Sequence, residues 1–265
     1  MIKIENHEVV GWEHAIRGMR NPMNSWDKSD TDYIKIYTTA GELCPPIIGE
    51  NDHDLMMRLA NGGPVHAKYR RMIGVYVDIT APLYWWKEFD TYKVGTVANS
   101  CSTMHKIHEK EFVAEDFSCE HLHISSFQTL IATIDLLNFW RDIYLEGGNV
   151  NNLDGTENIY QPKSKEVWWQ MIQLLPSSYN QKRTVYLNYE VLANIYEWRK
   201  DHKLDEWRSL CEWIESLPYS EIITDPVKGK KWLMDELAAA QKQILELEKE
   251  ILSLKKMIYE AGIEE

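Results

Sequence analysis

The sequence predicts an α+β domain that is followed by a C-terminal coiled-coil helix. Apolar residues alternate from Met72 to Ile79, recur at helical spacing from Ser125 to Leu145, and repeat in heptads near the C-terminus. We therefore expect a main domain over residues 1–225 and an oligomerisation helix over residues 226–265.

Composition limits the classes of function. With 265 residues and 44% hydrophobic content, the chain can bury one sizeable core. The net charge of −12 argues against sequence-independent nucleic-acid binding, because phosphate neutralisation needs a basic surface. The sequence has no apolar run of about 18 residues to span a membrane and no apolar signal core near its start, so we expect a cytoplasmic protein.

Widely spaced cysteines without a Cys-x-x-Cys pair are typical of reduced thiols: Cys44, Cys101, Cys119 and Cys211.

The first elements follow from local signals. Residues 1–20 predict a strand and the start of a helix, and residues 21–50 predict a loop with a short strand near Tyr33–Tyr37. The pair Asn51-Asp52 is typical of a helix cap and predicts a helix over His53–Ala60.

The next region predicts a strand and a helix. The alternation from Met72 to Ile79 places its β-branched residues on one face. Pro82 then opens a helix from Leu83 to about Tyr92. Residues 99–124 show no clear period.

Four further helices follow from apolar spacing: Ser125–Leu145, Glu166–Leu174, Tyr186 to about Lys200, and Glu206–Leu217. The tryptophan pairs are interpreted as core or subunit contacts rather than as stacking surfaces for a ligand: Trp85-Trp86 and Trp168-Trp169.

The C-terminal segment carries two apolar heptad series. One series consists of Leu237, Ile244, Ile251 and Ile258, and the other of Leu233, Ala240, Leu247 and Leu254. The first series is mostly Ile and the second is mostly Leu, a combination that favours a parallel two-stranded coil. A long helix packed on its own domain is the alternative, and the orientation of the coil stays open.

Small hydroxyl and thiol residues crowd together just after Lys93: Thr96, Ser100, Cys101, Ser102 and Thr103. Such residues add little to core packing, so a cluster of them is typical of a turn or a ligand site. For Cys101 itself the alternatives are a buried small residue or a reactive thiol, and the latter needs a lowered pKa.

The segment Leu175–Arg199 carries a second polar pattern. It contains a Leu-Pro pair and then Lys182, Asn188, Asn194 and Arg199. Together with the segment from Asp52 to His105, it resembles the flavin-dependent thymidylate synthase family, with its motifs in the same order. A polar helix face in water is the alternative reading for the two asparagines and Arg199.

The resemblance implies a specific chemistry. The family converts dUMP to dTMP with FAD, methylenetetrahydrofolate and NADPH, and it assembles as a homotetramer with active sites built across subunits. Its signature is Arg-His-Arg, seven residues, then Ser. In this chain the triplet is Thr91-Tyr92-Lys93, and Cys101 stands at the Ser position. Lys retains one positive charge but lacks the bidentate fork of Arg.

The resemblance also assigns roles to residues. It implies cofactor contacts from His66, Tyr92, Lys93, Asn188 and Asn194. It implies substrate contacts from Lys93, Ser102, Lys182 and Arg199, with Arg199 polarising the pyrimidine and Cys101 as a second catalytic candidate. Arg70 and Arg71 are further candidates for phosphate.

A zinc site is not expected. Cys119, His121 and His123 follow His105 and His108, but a C-x-H-x-H spacing matches no standard structural site. Alternation along a strand explains the spacing equally well.

Three hypotheses for function follow. The chain is an enzyme for methyl transfer to a uracil nucleotide, a diverged nucleotide or flavin binder, or a scaffold in which the coil carries the function. The exchanged Arg-His-Arg triplet weighs against strict retention of dTMP synthesis, whereas we expect the fold to be retained.

Overall fold

The computed structural model describes residues 2–33 and 45–224, together with Leu247 and Ile251. These residues form two compact units. The first comprises residues 2–15 and 70–216, and the second comprises the described parts of 16–69 and 217–265. Apart from Leu247 and Ile251, the predicted coil lies outside the described residues, as do Cys44 and nearly all of the predicted strand at Tyr33–Tyr37. The expected boundary at residue 225 stays a prediction.

The first unit is built on an antiparallel sheet of four strands. The strands of the described chain are β1 (Lys3–Val10), β2 (Gly74–Pro82), β3 (Val97–Ser100), β4 (Gly148–Asn151), β5 (Glu157–Tyr160) and β6 (Asn180–Asn188). The main sheet has the order β1-β2-β6-β3, and β4 pairs with β5 in a separate hairpin.

The predicted alternation in β2 is confirmed. Ile73, Val75 and Ile79 are fully buried, whereas Tyr76 on the opposite face is 47% exposed. One face of the sheet therefore packs into the core and the other carries polar side chains, as is common for an antiparallel sheet. The strand extends to Pro82 because its pairing with β6 continues to Asn180.

The described helices are α1 (Trp12–Arg20), α2 (Glu50–Asn61), α3 (Leu83–Phe89), α4 (Ile124–Glu146), α5 (Lys165–Leu174), α6 (Tyr189–Arg199), α7 (Asp205–Glu215) and α8 (Glu221–Thr224). The predictions for α4, α5 and α7 are confirmed to within about two residues, which is the ordinary uncertainty of helix ends. The predicted strand and helix within residues 1–20 are confirmed as β1 and α1.

The predicted helix start at Tyr186 is wrong. Residues 186–188 belong to β6, where they pair with β2. The helix begins at Tyr189, because the side chain of Asn188 accepts hydrogen bonds from the backbone N–H groups of Glu190 and Val191, both at 3.1 Å. Pairing with β2, and with β3 at Tyr186, overrides the helical spacing here.

The predicted role of Asn51-Asp52 as a helix cap is also wrong. The helix α2 begins at Glu50, and the carboxylate of Asp30 accepts the N–H groups of Asn51 and Asp52 at 2.9 and 3.1 Å. Asn51 and Asp52 therefore do not cap the helix; their N–H groups are capped by Asp30. Alternation along a strand does not explain the spacing of Cys119, His121 and His123, because this part of the described chain is an irregular turn before α4.

The core of the first unit is rich in aromatic rings. Trp85, Trp86 and Trp207 are fully buried, and Trp85 stacks on Phe89 at 5.0 Å between ring centroids. The core interpretation of Trp85-Trp86 is confirmed. Trp169 is 40% exposed in this chain and is therefore not a core residue, and its interpretation as a subunit contact stays a prediction.

A second cluster joins α4 and α5 to the irregular segment before them. Its buried members are Ile107, Phe112, Phe117, Leu130, Ile134, Leu137 and Met171. Only one side of α4 supplies residues to this cluster. Within the described ranges, no helix has the length and apolar character needed to cross a bilayer.

Candidate functional site

A pocket of about 780 Å³ opens at one end of the main sheet. Its lining includes Cys101, Ser102 and Lys182, three of the residues to which the resemblance assigns a role. The volume lies within the range of about 300–1,000 Å³ that is typical of small-molecule sites. The end of the signature segment and the basic residue of the second motif therefore meet at one cavity.

Strand register builds the wall of the pocket. Thr80 on β2 lies between Lys3 on β1 and Lys182 on β6 in one row across the sheet. Directly paired residues of adjacent antiparallel strands point to the same face, so the two lysines flank Thr80. Nothing in the local sequence singles out Lys3, because its place in the pocket wall depends on strand pairing across more than 70 residues.

The backbone of Cys101 is held on both sides by β6. Its N–H donates to the carbonyl of Lys182 at 2.9 Å, and its carbonyl accepts from the side-chain amide of Gln181 at 2.7 Å. Gln181 is 7% exposed, and its own carbonyl accepts from the indole of Trp86 at 2.8 Å. The side chain of Cys101 is exposed, so the interpretation as a buried small residue is wrong.

Ser102 shapes the turn that follows. Its hydroxyl oxygen accepts the N–H groups of Met104 and His105 at 3.3 and 2.9 Å. The chain then contributes Lys106 and Lys110 to the same pocket. The spacing of these lysines after the hydroxyl run was a usable signal that the sequence reasoning missed.

The pocket carries more lysines than carboxylates. Its lysines are Lys3, Lys106, Lys110 and Lys182, and its carboxylates are Glu109, Glu115 and Asp116. The four lysine side chains are between 43% and 68% exposed, and each lies within ion-pair distance of a carboxylate: Lys3 of Glu5, Lys106 of Glu109, Lys110 of Asp116 and Lys182 of Asp78. We call this cavity the lysine pocket. In a chain with net charge −12, four lysines at one cavity favour an anionic ligand that takes the place of these carboxylates.

Lys182 is oriented by Asp78. The carboxylate of Asp78 accepts from Thr184 at 2.7 Å, from Asn6 at 3.0 Å, and from Lys182 at 3.0 Å. These bonds, the one from Thr184 foremost, lower the pKa of Asp78 to about 2. The same contact with Asp78 raises the pKa of Lys182, so both groups are charged at neutral pH.

Arg199 lies in a different environment. One guanidinium nitrogen donates to Glu88 at 2.6 Å, and Nε donates to the hydroxyl of Tyr92 at 2.9 Å. The guanidinium carbon also lies 4.7 Å from the ring centre of Trp207. We call these four residues the Arg199 cluster. The structure thus brings Arg199 and Tyr92 together, but neither lines the lysine pocket.

Glu88 closes this cluster. Its second oxygen accepts from the indole of Trp207 at 2.7 Å, so both oxygens are engaged. Burial alone raises the pKa of Glu88, but the bonds from Trp207 and Arg199 outweigh burial and lower it. The carboxylate is therefore ionised and compensates the charge of Arg199.

Asn188 is also engaged inside the fold. It is 7% exposed and caps α6 with its side-chain oxygen. Gly95, which follows Lys93 closely, has φ +80° and passes so near that an added Cβ would lie 2.9 Å from the amide nitrogen of Asn188. Only glycine fits this turn, so the first motif packs directly on the second.

The remaining predicted residues do not join either group. Lys93 and Asn194 are exposed. His66 is exposed as well and belongs to the second unit. Arg70 forms an ion pair with Glu190 at 2.8 Å. The roles assigned to these residues by the resemblance stay predictions.

Metal binding has no cluster to support it. Among the described residues, no group of three His, Cys, Asp or Glu side chains is arranged to hold a metal ion. His123 instead caps α4 by accepting the N–H of Ser125 at 3.3 Å, and His121 lies 3.0 Å from Asp205.

Two of the residues assigned to flavin are already engaged inside this chain, and the assignment itself stays a prediction. Tyr92 and Asn188 already have partners in the protein, and none of Tyr92, Lys93, Asn188 and Asn194 lines the lysine pocket. We therefore derive no step through a flavin.

The chain matches no protein-family model, and no curated protein sequence matches it. Solved structures do match. Thymidylate synthase X (ThyX) from Helicobacter pylori, solved with FAD and dUMP, is 14% identical, with TM-score 0.57, covering 86% of this chain and 100% of its own. A UMP/dUMP methylase, PolB from Streptomyces cacaoi, bound with 5-Br dUMP, is 11% identical, with TM-score 0.51, covering 86% of this chain and 94% of its own.

A second Helicobacter pylori structure, flavin-dependent thymidylate synthase ThyX complexed with FAD and dUMP, matches at 14% identity and TM-score 0.53, covering 84% and 96% of the two chains. The described chain thus has the fold of flavin-dependent thymidylate synthases, and the predicted α+β class is confirmed. At these identities the likeness establishes the fold alone.

Proposed function

We propose that this chain binds a uracil nucleotide such as dUMP in the lysine pocket. The observation that carries the proposal is the meeting of Cys101, Ser102 and Lys182 at one cavity that four lysines line. The structural neighbours whose fold it shares were solved with dUMP or its bromo analogue, which supports this ligand class.

The chemistry of the pocket suits a phosphate group. An ammonium group is a compact point charge that binds phosphate without demanding one geometry. Lys182 is the best-placed donor, because Asp78 holds it beside Thr80 on a rigid strand. The hydroxyls of Ser102 and Thr103, which also line the pocket, supply neutral hydrogen bonds for the rest of the nucleotide.

Calorimetric titration with dUMP tests the proposal. Lys182→Met removes the charge while keeping most of the side-chain volume, and it should weaken dUMP binding about tenfold or more, as expected for one charged hydrogen bond. Lys165→Met is the matched control, because Lys165 is exposed at the start of α5 and outside the pocket. Lys93→Met asks whether the predicted phosphate contact at that residue exists.

The possible outcomes are distinct. Weaker binding only for Lys182→Met supports the lysine pocket, whereas weaker binding only for Lys93→Met places the site elsewhere. A wild-type chain that binds no dUMP at millimolar concentration rejects the proposal and favours the scaffold hypothesis.

The second candidate is the complete family reaction, methyl transfer to dUMP with FAD, methylenetetrahydrofolate and NADPH. It is favoured by the two neighbours that were solved with both FAD and dUMP. It requires Arg199 to leave Glu88, or a flavin site assembled between subunits. Purified chain that shows a flavin absorbance band, or that acquires one with added FAD, supports this candidate, and colourless chain that binds dUMP supports the first.

A further inference from the structure

Asn180, the first residue of β6, lines the lysine pocket. It lies two positions before Lys182, so both side chains point to the same face of the sheet. The hydroxyl of Ser118 donates to the side-chain carbonyl of Asn180 at 3.0 Å. Among the residues that the structure describes, none accepts a hydrogen bond from the side-chain N–H2 group of Asn180. Asn180 therefore has a hydrogen-bond donor to offer to a ligand.

Ser118 is held firmly beside β6. Its backbone N–H donates to the carbonyl of Ser178 at 2.8 Å, and the preceding residue, Phe117, forms a β-bridge with Tyr179. Its side chain is 8% exposed. The hydroxyl of Ser118 thus has a fixed position, and it fixes the plane of the Asn180 amide in turn.

Two further side chains lie behind Ser118. The hydroxyl of Tyr84 donates to the carboxylate of Glu206, which is 7% exposed, and the oxygen of Tyr84 also contacts the hydroxyl of Ser118. Burial and the bond to Glu206 raise the pKa of Tyr84, so the phenol keeps its proton. Because this proton is given to Glu206, Ser118 receives none from Tyr84 and is left to donate. The carbonyl of Asn180 accordingly faces Ser118, and its N–H2 group faces the pocket.

The ammonium group of Lys182 is directed away from Asn180. It lies 3.0 Å from the carboxylate of Asp78, a residue that pairs with Thr184 on β6. Thr184 is four residues beyond Asn180, which is about 13 Å along an extended strand. A phosphate held by Lys182 is therefore well separated from the amide of Asn180, and the ribose and base of a nucleotide can lie between them.

The pocket also has an apolar part beside Asn180. Tyr179 precedes Asn180 in the chain and packs against the buried cluster that contains Ile107, and both residues line the pocket. Apolar walls with a few fixed polar groups are typical of sites that bind a planar ring. This part of the pocket suits the base rather than the phosphate.

The direction of the amide has a chemical consequence. Uracil carries a carbonyl oxygen at C4, whereas cytosine carries an amino group there. A fixed N–H2 group donates to the carbonyl but meets a second donor in cytosine. We propose that Asn180 is a specificity-determining residue that makes the lysine pocket prefer uracil nucleotides to cytosine nucleotides, and that Ser118 positions its amide. This inference rests on the proposed function, because it assumes that a nucleotide occupies this pocket.

Calorimetric titration of the full chain with dUMP and with dCMP tests the preference. The two nucleotides share the same sugar and phosphate, so the ratio of their dissociation constants reports on the base alone. Wild-type chain should bind dUMP at least tenfold more tightly than dCMP, because a buried donor left facing another donor is costly.

Asn180→Asp replaces the N–H2 group by an oxygen and keeps an oxygen for Ser118. The preference for dUMP should disappear or reverse, because the new oxygen accepts from the amino group of cytosine. The added negative charge repels both phosphates alike and leaves the ratio unaffected. Lys182→Met is the control: it should weaken both nucleotides equally, without changing the ratio.

Ser118→Ala tests the positioning role. Without the hydroxyl, the amide of Asn180 can turn over and present its carbonyl instead, so the ratio should fall towards one. A purely structural role of Ser118 would lower thermal stability and weaken both nucleotides without moving the ratio. Circular dichroism checks that all three variants are folded.

The outcomes separate this inference from the proposed function. Wild-type chain that binds dUMP and dCMP equally, or dCMP more tightly, overturns the role of Asn180 and leaves nucleotide binding in place. A preference for dUMP that persists in Asn180→Asp shows that another residue contacts the base, and it also overturns the role. A chain that binds neither nucleotide rejects the proposed function and this inference with it.

Discussion

The two ends of the segment Thr91–Thr103 lie in opposite surroundings. At its start, Tyr92 belongs to the Arg199 cluster, in which every charged group has a partner. At its end, Cys101 and Ser102 open into the lysine pocket with exposed side chains. This difference shows that the segment has two roles. Its start holds helices together, and its end faces a cavity.

Removing the ring of Trp207 should have the largest effect on the Arg199 cluster. Trp207→Ala deletes a fully buried side chain and the hydrogen bond to Glu88. We expect the free energy of unfolding to fall by about 3–5 kcal/mol, as for other buried tryptophans. Chemical denaturation measures it, with Trp207→Phe as a control that keeps a ring without the N–H. A loss below about 1 kcal/mol would contradict the structural role of the cluster.

Arg199→Met asks whether this residue serves the fold or the ligand. Losing the guanidinium leaves Glu88 half-buried without its cation, so we expect a loss of about 1.5–3 kcal/mol in unfolding free energy. The affinity for dUMP should not change. A folded variant that binds dUMP more than tenfold less tightly would show that Arg199 contacts the nucleotide, as the sequence resemblance implies.

The pH dependence of protein stability tests the hydrogen bonds of Asp78 beside the lysine pocket, which are separate from the Arg199 cluster. The pKa of Asp78 falls from an ordinary value of 3.8 to about 2 in the folded chain, so its carboxylate stabilises the fold fully above about pH 4. That contribution is lost as the pH falls from about 4 to about 2. Thermal melts across this window should show a smaller decline for Asp78→Asn than for the wild-type chain, and equal declines would refute the network around Lys182.

Cys101→Ala should have the smallest effect. The residue holds its position through backbone hydrogen bonds to β6, which alanine retains, and its side chain is exposed. We expect unfolding free energy within about 0.5 kcal/mol of the wild-type value, measured under the same conditions as Trp207→Ala. A larger loss would mean that the thiol is part of the packing.

Periodic patterns predicted much of the fold, and side-chain identity predicted less of the site. The alternation in β2 and the spacing in α4 are local, so both are visible in the sequence. Residues 186–188 were misassigned because their pairing with β2 spans more than 100 residues. Lys3 was missed for the same reason. Arg199 was expected at a ligand, since nothing in the local sequence reveals that Glu88 already binds it.

Gln181 has a consequence for how this pocket can change over time. Its side chain fixes the backbone at Cys101, while its own carbonyl is held by a buried tryptophan. The wall of the cavity is thus anchored from the interior rather than by the groups that face the opening. Residues at the rim of the pocket can therefore be substituted without unfolding the protein. Such substitutions allow the ligand preference of the pocket to change in evolution or by engineering.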